Sequence, residues 1–167
     1  MKNLLVPVDL SEISLDIVER ASCLAQSFAS RVWLLHVIMQ APDSVPFNLD
    51  RAVFRKEVAK ELRSLRRQLH GLARLLRQER VHVVARLIPG TVNTTIVAEA
   101  ERINADLVIM GSHGHGNVYH ALFGGVGQSV MRKVSCPVML VSAASYQPDR
   151  QPGARQGCGL NSDVSLR

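Results

Sequence analysis

Apolar positions along this chain follow two alternating patterns. Short continuous runs of apolar, often β-branched residues mark buried strands, and between them apolar residues step by three and four, as on one face of a helix. Leu4 to Val8 is the first such run. Ser11 then reads as an N-cap with Glu12 in the first turn, and Ile13, Ile17, Ala21, Leu24 and Phe28 follow at helical spacing. Arg31 to Ile38 predicts a second strand, and Ala41 to Asp50, with Pro42 and Pro46, a loop. Phe54, Val58, Leu62, Leu65, Leu69, Leu72 and Leu76 predict a long helix. Gly71 lies inside it, where it costs about 1 kcal/mol relative to alanine or marks a break. Val81 to Ile88 reads as a third strand, punctuated by Pro89-Gly90. Val92, Ile96, Ala100 and Ile103 then make a helix face, and Asp106 to Met110 a fourth strand. Leu122, Val126, Val130 and Val134 make a last helix face, and Pro137 to Val141 a fifth strand.

Strands that alternate with helices and are apolar throughout belong to the α/β class. They predict an open, doubly wound, five-stranded parallel sheet with helices on both faces. Such sheets bind ligands beyond the strand C-termini, where the strand order reverses. If the first and fourth strands are adjacent, Asp9 and Gly111 meet at that point. From about Ala143 the periodicity stops and Ser, Gln, Pro, Gly, Arg and Asn dominate. The expected division is a folded domain over 1–142 and a mostly disordered tail over 143–167.

Composition narrows the setting. A chain of 167 residues suffices for one domain with a hydrophobic core. No apolar run is long enough to span a membrane, and the opening residues are too short and too interrupted by Pro7 and Asp9 for an export signal, so the cytoplasm is the expected compartment. Cys23, Cys136 and Cys158 have no paired spacing and read as reduced thiols, the first two buried. The net charge is +6, and half of the basic residues fall between Arg51 and Arg80. With no aromatic residues interleaved after Phe54 for base stacking, this run reads as a solvated helix face, and a nucleic-acid partner is not expected.

The chemistry concentrates in Gly111-Ser112-His113-Gly114 and the later Gly124-Gly125, which fall between an apolar strand and a helix pattern. Bare backbone beside a helix N-terminus suits a phosphate. The loop is not a P-loop, because it contains no lysine, and it occurs too late in the chain for a dinucleotide fingerprint. His113, His115 and His120 lie close together without a matching cysteine or carboxylate cluster, so a phosphate contact from His113 or His115 fits better than a metal site. His36, inside a strand, reads as a satisfied core histidine. Asp9 reads either as a ligand contact or as the residue that leads into the first helix. Without a lysine, a base or paired carboxylates in the loop, phosphoryl transfer has little support and no catalytic residue is assigned.

Together these pieces resemble the universal stress protein family in its ATP-binding branch. Gly111, Gly114 and Gly124 match the branch's motif of Gly, two residues, Gly, nine residues, Gly and Ser or Thr. LLVPVDLSE, WLLHVI, ADLVIMGSHGHG and CPVMLV match the wider pattern over residues 1–142. The resemblance implies a Rossmann-like fold of the adenine nucleotide alpha-hydrolase type. It places Pro7 and Val37 near an adenine, Asp9 near the ribose, and Gly111 and Gly114 around ribose and phosphates. Gly124 and Gly125 would then offer N–H groups to the outer phosphates, with Val8, Ser112 and Val126 beside these positions. It further implies a cytoplasmic stress-response protein that binds ATP, with Mg²⁺ or Mn²⁺ accompanying the nucleotide. Its homodimer would form through the last strand and signal to an unidentified protein partner. Alternatives are a nucleotide-free dimeric interaction module and a slow ATPase. One position departs from the motif: Gly125 stands where the family has Ser or Thr. A lost hydrogen bond to a charged group is worth roughly 1.5–3 kcal/mol, one to two decades of affinity.

Overall fold

Strand and helix alternate from β-strand to β-strand through the computed structural model, which describes residues 1–39, 51–112 and 125–141, and for residues 51–55 the backbone alone. In chain order the elements are β1 (Asn3–Pro7), α1 (Ile13–Phe28), β2 (Arg31–Ile38), α2 (Arg51–Gln78), β3 (His82–Pro89), α3 (Val92–Arg102), β4 (Leu107–Gly111), α4 (Gly125–Met131) and β5 (Val138–Val141). The expected boundaries hold within about a residue for the strands, and α2 passes through Gly71 without a break. The expected loop over 41–50, residue Leu122 and the tail over 143–167 lie outside the described residues.

The five strands form one parallel sheet in the order β3-β2-β1-β4-β5. From β1 the chain adds strands on one side, then returns across β1 and adds β4 and β5 on the other. The doubly wound architecture expected from the sequence is therefore present, with β1 and β4 at the switch. Alternate strand residues serve opposite faces. Leu4, Val6, Val32, Leu34 and Ile109 pack with Ile17, Val18, Ala21, Leu69, Ala73 and Leu76 from α1 and α2. Leu5, Leu35, Val108 and Met110 pack with Ile96, Ala100 and Val130 from α3 and α4. Because helices cover both faces of the central strands, Leu4–Val6 of β1 and Leu107–Met110 of β4 are apolar without interruption.

Several expectations are corrected at the edges of these cores. Phe28 is 51% exposed, and Val58 and Leu62 are 38% and 37% exposed, although all three continue a helical period. Val126 is exposed while Val130, one turn on, is fully buried. Cys23 and Cys136 are half-buried rather than buried. Ser11 is not the N-cap of α1: that position falls on Glu12, and the Ser11 hydroxyl is used elsewhere.

The first three helices end alike. Ala29, Arg80 and Asn104 adopt left-handed backbone, and the next residue's N–H reaches back five residues, Ser30 to Ala25, Val81 to Leu76 and Ala105 to Ala100. This geometry satisfies the last carbonyls and turns the chain into the following strand. Under α3, Glu99 is buried and accepts a forked hydrogen bond from Arg102, with Arg86 of β3 3.2 Å away. The Arg102 guanidinium lies 5.0 Å over the Trp33 ring, tying β2, β3 and α3 together.

Candidate functional site

The site begins with what Pro7 lacks. In a parallel strand, successive residues direct their backbone polar groups to opposite neighbours. The Lys2 carbonyl accepts from the Arg31 N–H, and the Val8 N–H donates to the Leu35 carbonyl at 2.8 Å, so the even-numbered residues bond toward β2. Asn3 turns the other way and accepts from the Asp106 N–H. Pro7 falls on that same side, facing β4, where it has no N–H to donate. The ladder between β1 and β4 accordingly covers only Leu4–Leu107 and Leu5–Val108. Both strands continue past it, β1 paired with β2 as far as Pro7 and β4 paired with β5 as far as Gly111. The C-terminal ends of β1 and β4 thus lie unladdered at the switch in strand order, the place where open α/β sheets form a ligand crevice.

The turn after β1 is tightly organised. Leu10 is left-handed (φ 65°) and packs against the first core, at a cost of roughly 1–2 kcal/mol for a non-glycine residue. Just beyond it, Oδ1 of Asp9 accepts the Ser11 N–H at 3.0 Å, the Ser11 hydroxyl and the Ser14 hydroxyl at 3.3 Å. Asp9 thus binds the start of α1 in place while remaining exposed at the sheet's C-terminal edge. On the neighbouring strand, Nδ1 of His36 is 2.8 Å from the Val8 carbonyl, so His36 is satisfied as expected and fixes the residue before Asp9. Val37 follows on the face packed against the second core. At the end of β4, the Ser112 N–H donates to the Val141 carbonyl at 2.8 Å and holds Gly111 against β5.

The structure therefore brings Pro7, Val8, Asp9, Val37, Gly111 and Ser112 to one edge of the sheet, around the gap between β1 and β4. His113, Gly114, His115 and Gly124 lie outside the described residues. Gly125 and Val126 open the described part of α4, the connection from β4 to β5. A side chain at Gly125 would meet nothing within 4 Å among the described residues, so crowding does not impose glycine there. Gly125 lines a shallow depression with Gln128, Ser129, Arg132 and Lys133, which adds two exposed cations to the glycine-rich segment. Sequence reading had singled out neither cation, nor Ser11, Ser14 and His36 as the groups that hold Asp9 and Val8. The signal for Arg132 and Lys133 was their helical spacing from Gly125 and Ser129; for His36 there was none without the strand register. Among the described residues no group of histidines, cysteines and carboxylates could hold a metal ion. The Cys136 thiol packs against the second core, where burial pushes its pKa up and disfavours the thiolate.

A doubly wound parallel sheet that sets a fixed carboxylate and a glycine-ended strand side by side at its switch point defines an α/β protein with a candidate ligand site at that point. Comparison with known proteins narrows this class. The family model described as "Universal stress protein family" matches residues 1–142, and the chain belongs to that family. Universal stress protein MJ0531 of Methanocaldococcus jannaschii is 28% identical over 142 residues, covering 84% of this chain and 81% of that protein. The solved structure of MJ0577 superposes with a TM-score of 0.72 at 27% identity, covering 87% of this chain and 98% of the other. A universal stress protein solved in complex with cAMP has the same fold, with a TM-score of 0.63 at 20% identity and coverage of 84% and 96%. No helix among the described residues is long and apolar enough to cross a membrane.

Proposed function

We propose that the crevice between β1 and β4 binds an adenine nucleotide, with ATP as the ligand, and that the protein acts as a nucleotide-dependent regulatory homodimer in stress response. The observation that carries this reading is the ladder that stops at Leu5 and Val108 while both strands continue, leaving Asp9 and Gly111 on either side of the gap. A planar base can enter where two strands part. Asp9 suits ribose hydroxyls, and bare backbone with Arg132 and Lys133 suits phosphates. The cAMP complex of a protein with this fold supports the adenosine part of the assignment. In this arrangement Pro7 and Val37 bound the base, Gly111, Ser112 and Gly114 follow the ribose and phosphates, and His113, His115, Gly124, Gly125 and Val126 lie toward the outer phosphates. A divalent cation, Mg²⁺ or Mn²⁺, comes with the triphosphate and neutralises its charge. The cytoplasm is the compartment this reading requires.

The homodimer in this reading forms along β5. It is the outer strand of the sheet, its outward edge is unpaired among the described residues, and Met139 is 37% exposed on it. Nucleotide binding near the end of β4 then reaches the dimer edge through the β4–β5 ladder.

The deciding experiment is calorimetric titration with ATP, ADP and AMP, each with and without magnesium. Micromolar ATP binding that disappears in Gly114→Val is the expected result. Gly125→Ser restores the motif hydroxyl and is expected to tighten ATP about ten- to a hundredfold, since hydrogen bonds to charged groups contribute roughly 1.5–3 kcal/mol. No heat and no thermal stabilisation at millimolar ATP would overturn the reading in favour of a nucleotide-free interaction module.

A further inference from the structure

The outer face of α2 takes no part in the site above. Between Glu61 and Glu79 the chain contains Arg63, Arg66, Arg67, His70, Arg74 and Arg77 and no acidic residue. All six are exposed, while Leu69, Ala73 and Leu76 on the opposite side are buried in the first core. Like charges three and four residues apart, as in Arg63–Arg67 and Arg74–Arg77, destabilise a helix by roughly 0.2–0.5 kcal/mol per pair. Among the described residues the only ion pair on α2 is Lys60–Glu57, at 3.9 Å with both side chains exposed.

Gly71 adds a second unfavourable choice at the same place. It is exposed in mid-helix, and a Cβ there would meet nothing within 4 Å among the described residues, so neither their packing nor a turn calls for glycine. Its cost is about 1 kcal/mol. Arg63, Arg66, Arg67, His70 and Arg74 line, with Gly71, a shallow open depression. Two local penalties that coincide on one surface mark a place shaped by something other than stability. Positions 63, 67, 70, 74 and 77 advance by about one helical turn each, so four arginines, with His70 among them, form a row roughly 20 Å long.

From its sequence alone this run reads as a solvated helix face with no nucleic-acid partner; on the clustered arginines and the exposed mid-helix glycine that coincide here, we propose instead that this face of α2 binds the sugar–phosphate backbone of a nucleic acid without reading its base sequence. Arginine, and no lysine between Lys60 and Lys133, supplies the charge, and a planar guanidinium engages two phosphate oxygens at once. The bare backbone at Gly71 lets the strand approach closely. No Phe, Tyr or Trp occurs between Phe54 and Tyr119, so the stretch from Arg63 to Arg77 offers bases no such ring to stack on and recognition stays with the phosphates. An anionic membrane fits less well, because the apolar side of this segment is already committed to the sheet.

The test is fluorescence anisotropy with a labelled DNA duplex of about twenty base pairs and a single-stranded RNA of about the same length, titrated at several salt concentrations. If Arg63, Arg66, Arg67 and Arg74 each neutralise one phosphate, the log–log salt slope on the duplex is about −4, or roughly a hundredfold loss between about 50 and 200 mM salt. Arg66→Glu combined with Arg67→Glu is expected to weaken binding at least about tenfold and to reduce the slope by about 2. Arg20→Glu with Arg31→Glu makes the same change in net charge at exposed positions on other elements and is expected to keep binding within a few-fold. Matching thermal melts of both double variants exclude unfolding as the cause. The proposal is overturned if neither nucleic acid binds at low salt, or if the α2 double variant binds as wild type. It is also overturned if only phosphatidylserine vesicles capture the protein.

Discussion

Asp106 ties down the start of the fold from the surface. Its Oδ2 accepts the N–H of Lys2 at 2.6 Å and of Asn3 at 2.8 Å, and its own N–H donates to the Asn3 carbonyl at 2.9 Å. The Asn3 side chain in turn donates to the Ile103 carbonyl and accepts from the Trp33 indole N–H. One carboxylate thus fixes the first residues of β1 against β4 at the end of the sheet opposite the crevice. The Asn3 and Lys2 N–H groups hold its pKa below the usual carboxylate range. A depressed folded-state pKa contributes stability that is present above the unfolded value near 4 and is lost as pH falls through the folded value. Asp106→Asn is therefore expected to destabilise the protein at neutral pH and to flatten its stability profile below about pH 4. Urea denaturation at a series of pH values checks this, and parallel profiles for the two proteins would refute it. In the sequence Asp106 was legible only as the first residue of a strand, because its partners lie more than a hundred positions away.

At the scale of elements, the helical period identifies the inward face but not how much of it is covered. Ile17 and Phe28 lie on the same predicted face of α1, yet Ile17 is 2% exposed and Phe28 is 51% exposed. Ile17→Ala is expected to cost about 2–4 kcal/mol through lost burial and a cavity, and Phe28→Ala less than about 1 kcal/mol. Equilibrium denaturation of the two variants measures the contrast directly, and equal costs would contradict the packing described here. The same limit explains Val58 and Leu62, which continue the stripe of α2 but do not reach the sheet as Leu69 and Leu76 do. The helix ends were not legible either. The residues that turn left-handed are Ala29, Arg80 and Asn104 rather than glycines, so the common punctuation signal was missing.

For the whole molecule, strand order decides which residues form the crevice and which strand is free at the rim. With β5 outermost, pairing across a two-fold axis is the expected route to a homodimer. Light scattering on the eluting protein is then expected to report twice the 18.4 kDa chain mass. Met139→Lys, at the half-exposed outer strand, is expected to shift the species to the single-chain mass without unfolding it. A wild-type protein that elutes at the single-chain mass would remove the dimer from the functional reading.

The sequence by itself determined the alternation of elements, the parallel character of the sheet and the glycine-rich strand end at Gly111, because periodicity and apolar runs are local properties. It also supplied Pro7 and Asp9 as residues at a strand terminus. Only the tertiary structure decided what they do. Pro7 matters because β4, a hundred residues away in sequence, is the strand to which it offers no N–H. Asp9 matters because a left-handed Leu10 turns the N–H and hydroxyl of Ser11 onto it, and Ser14 adds a second hydroxyl from the first turn of α1. The basic run of α2 was visible in the sequence, but its freedom from carboxylates and its opening at Gly71 depend on which face the core buries. Charge is written locally, whereas exposure and pairing are set by contacts between distant segments.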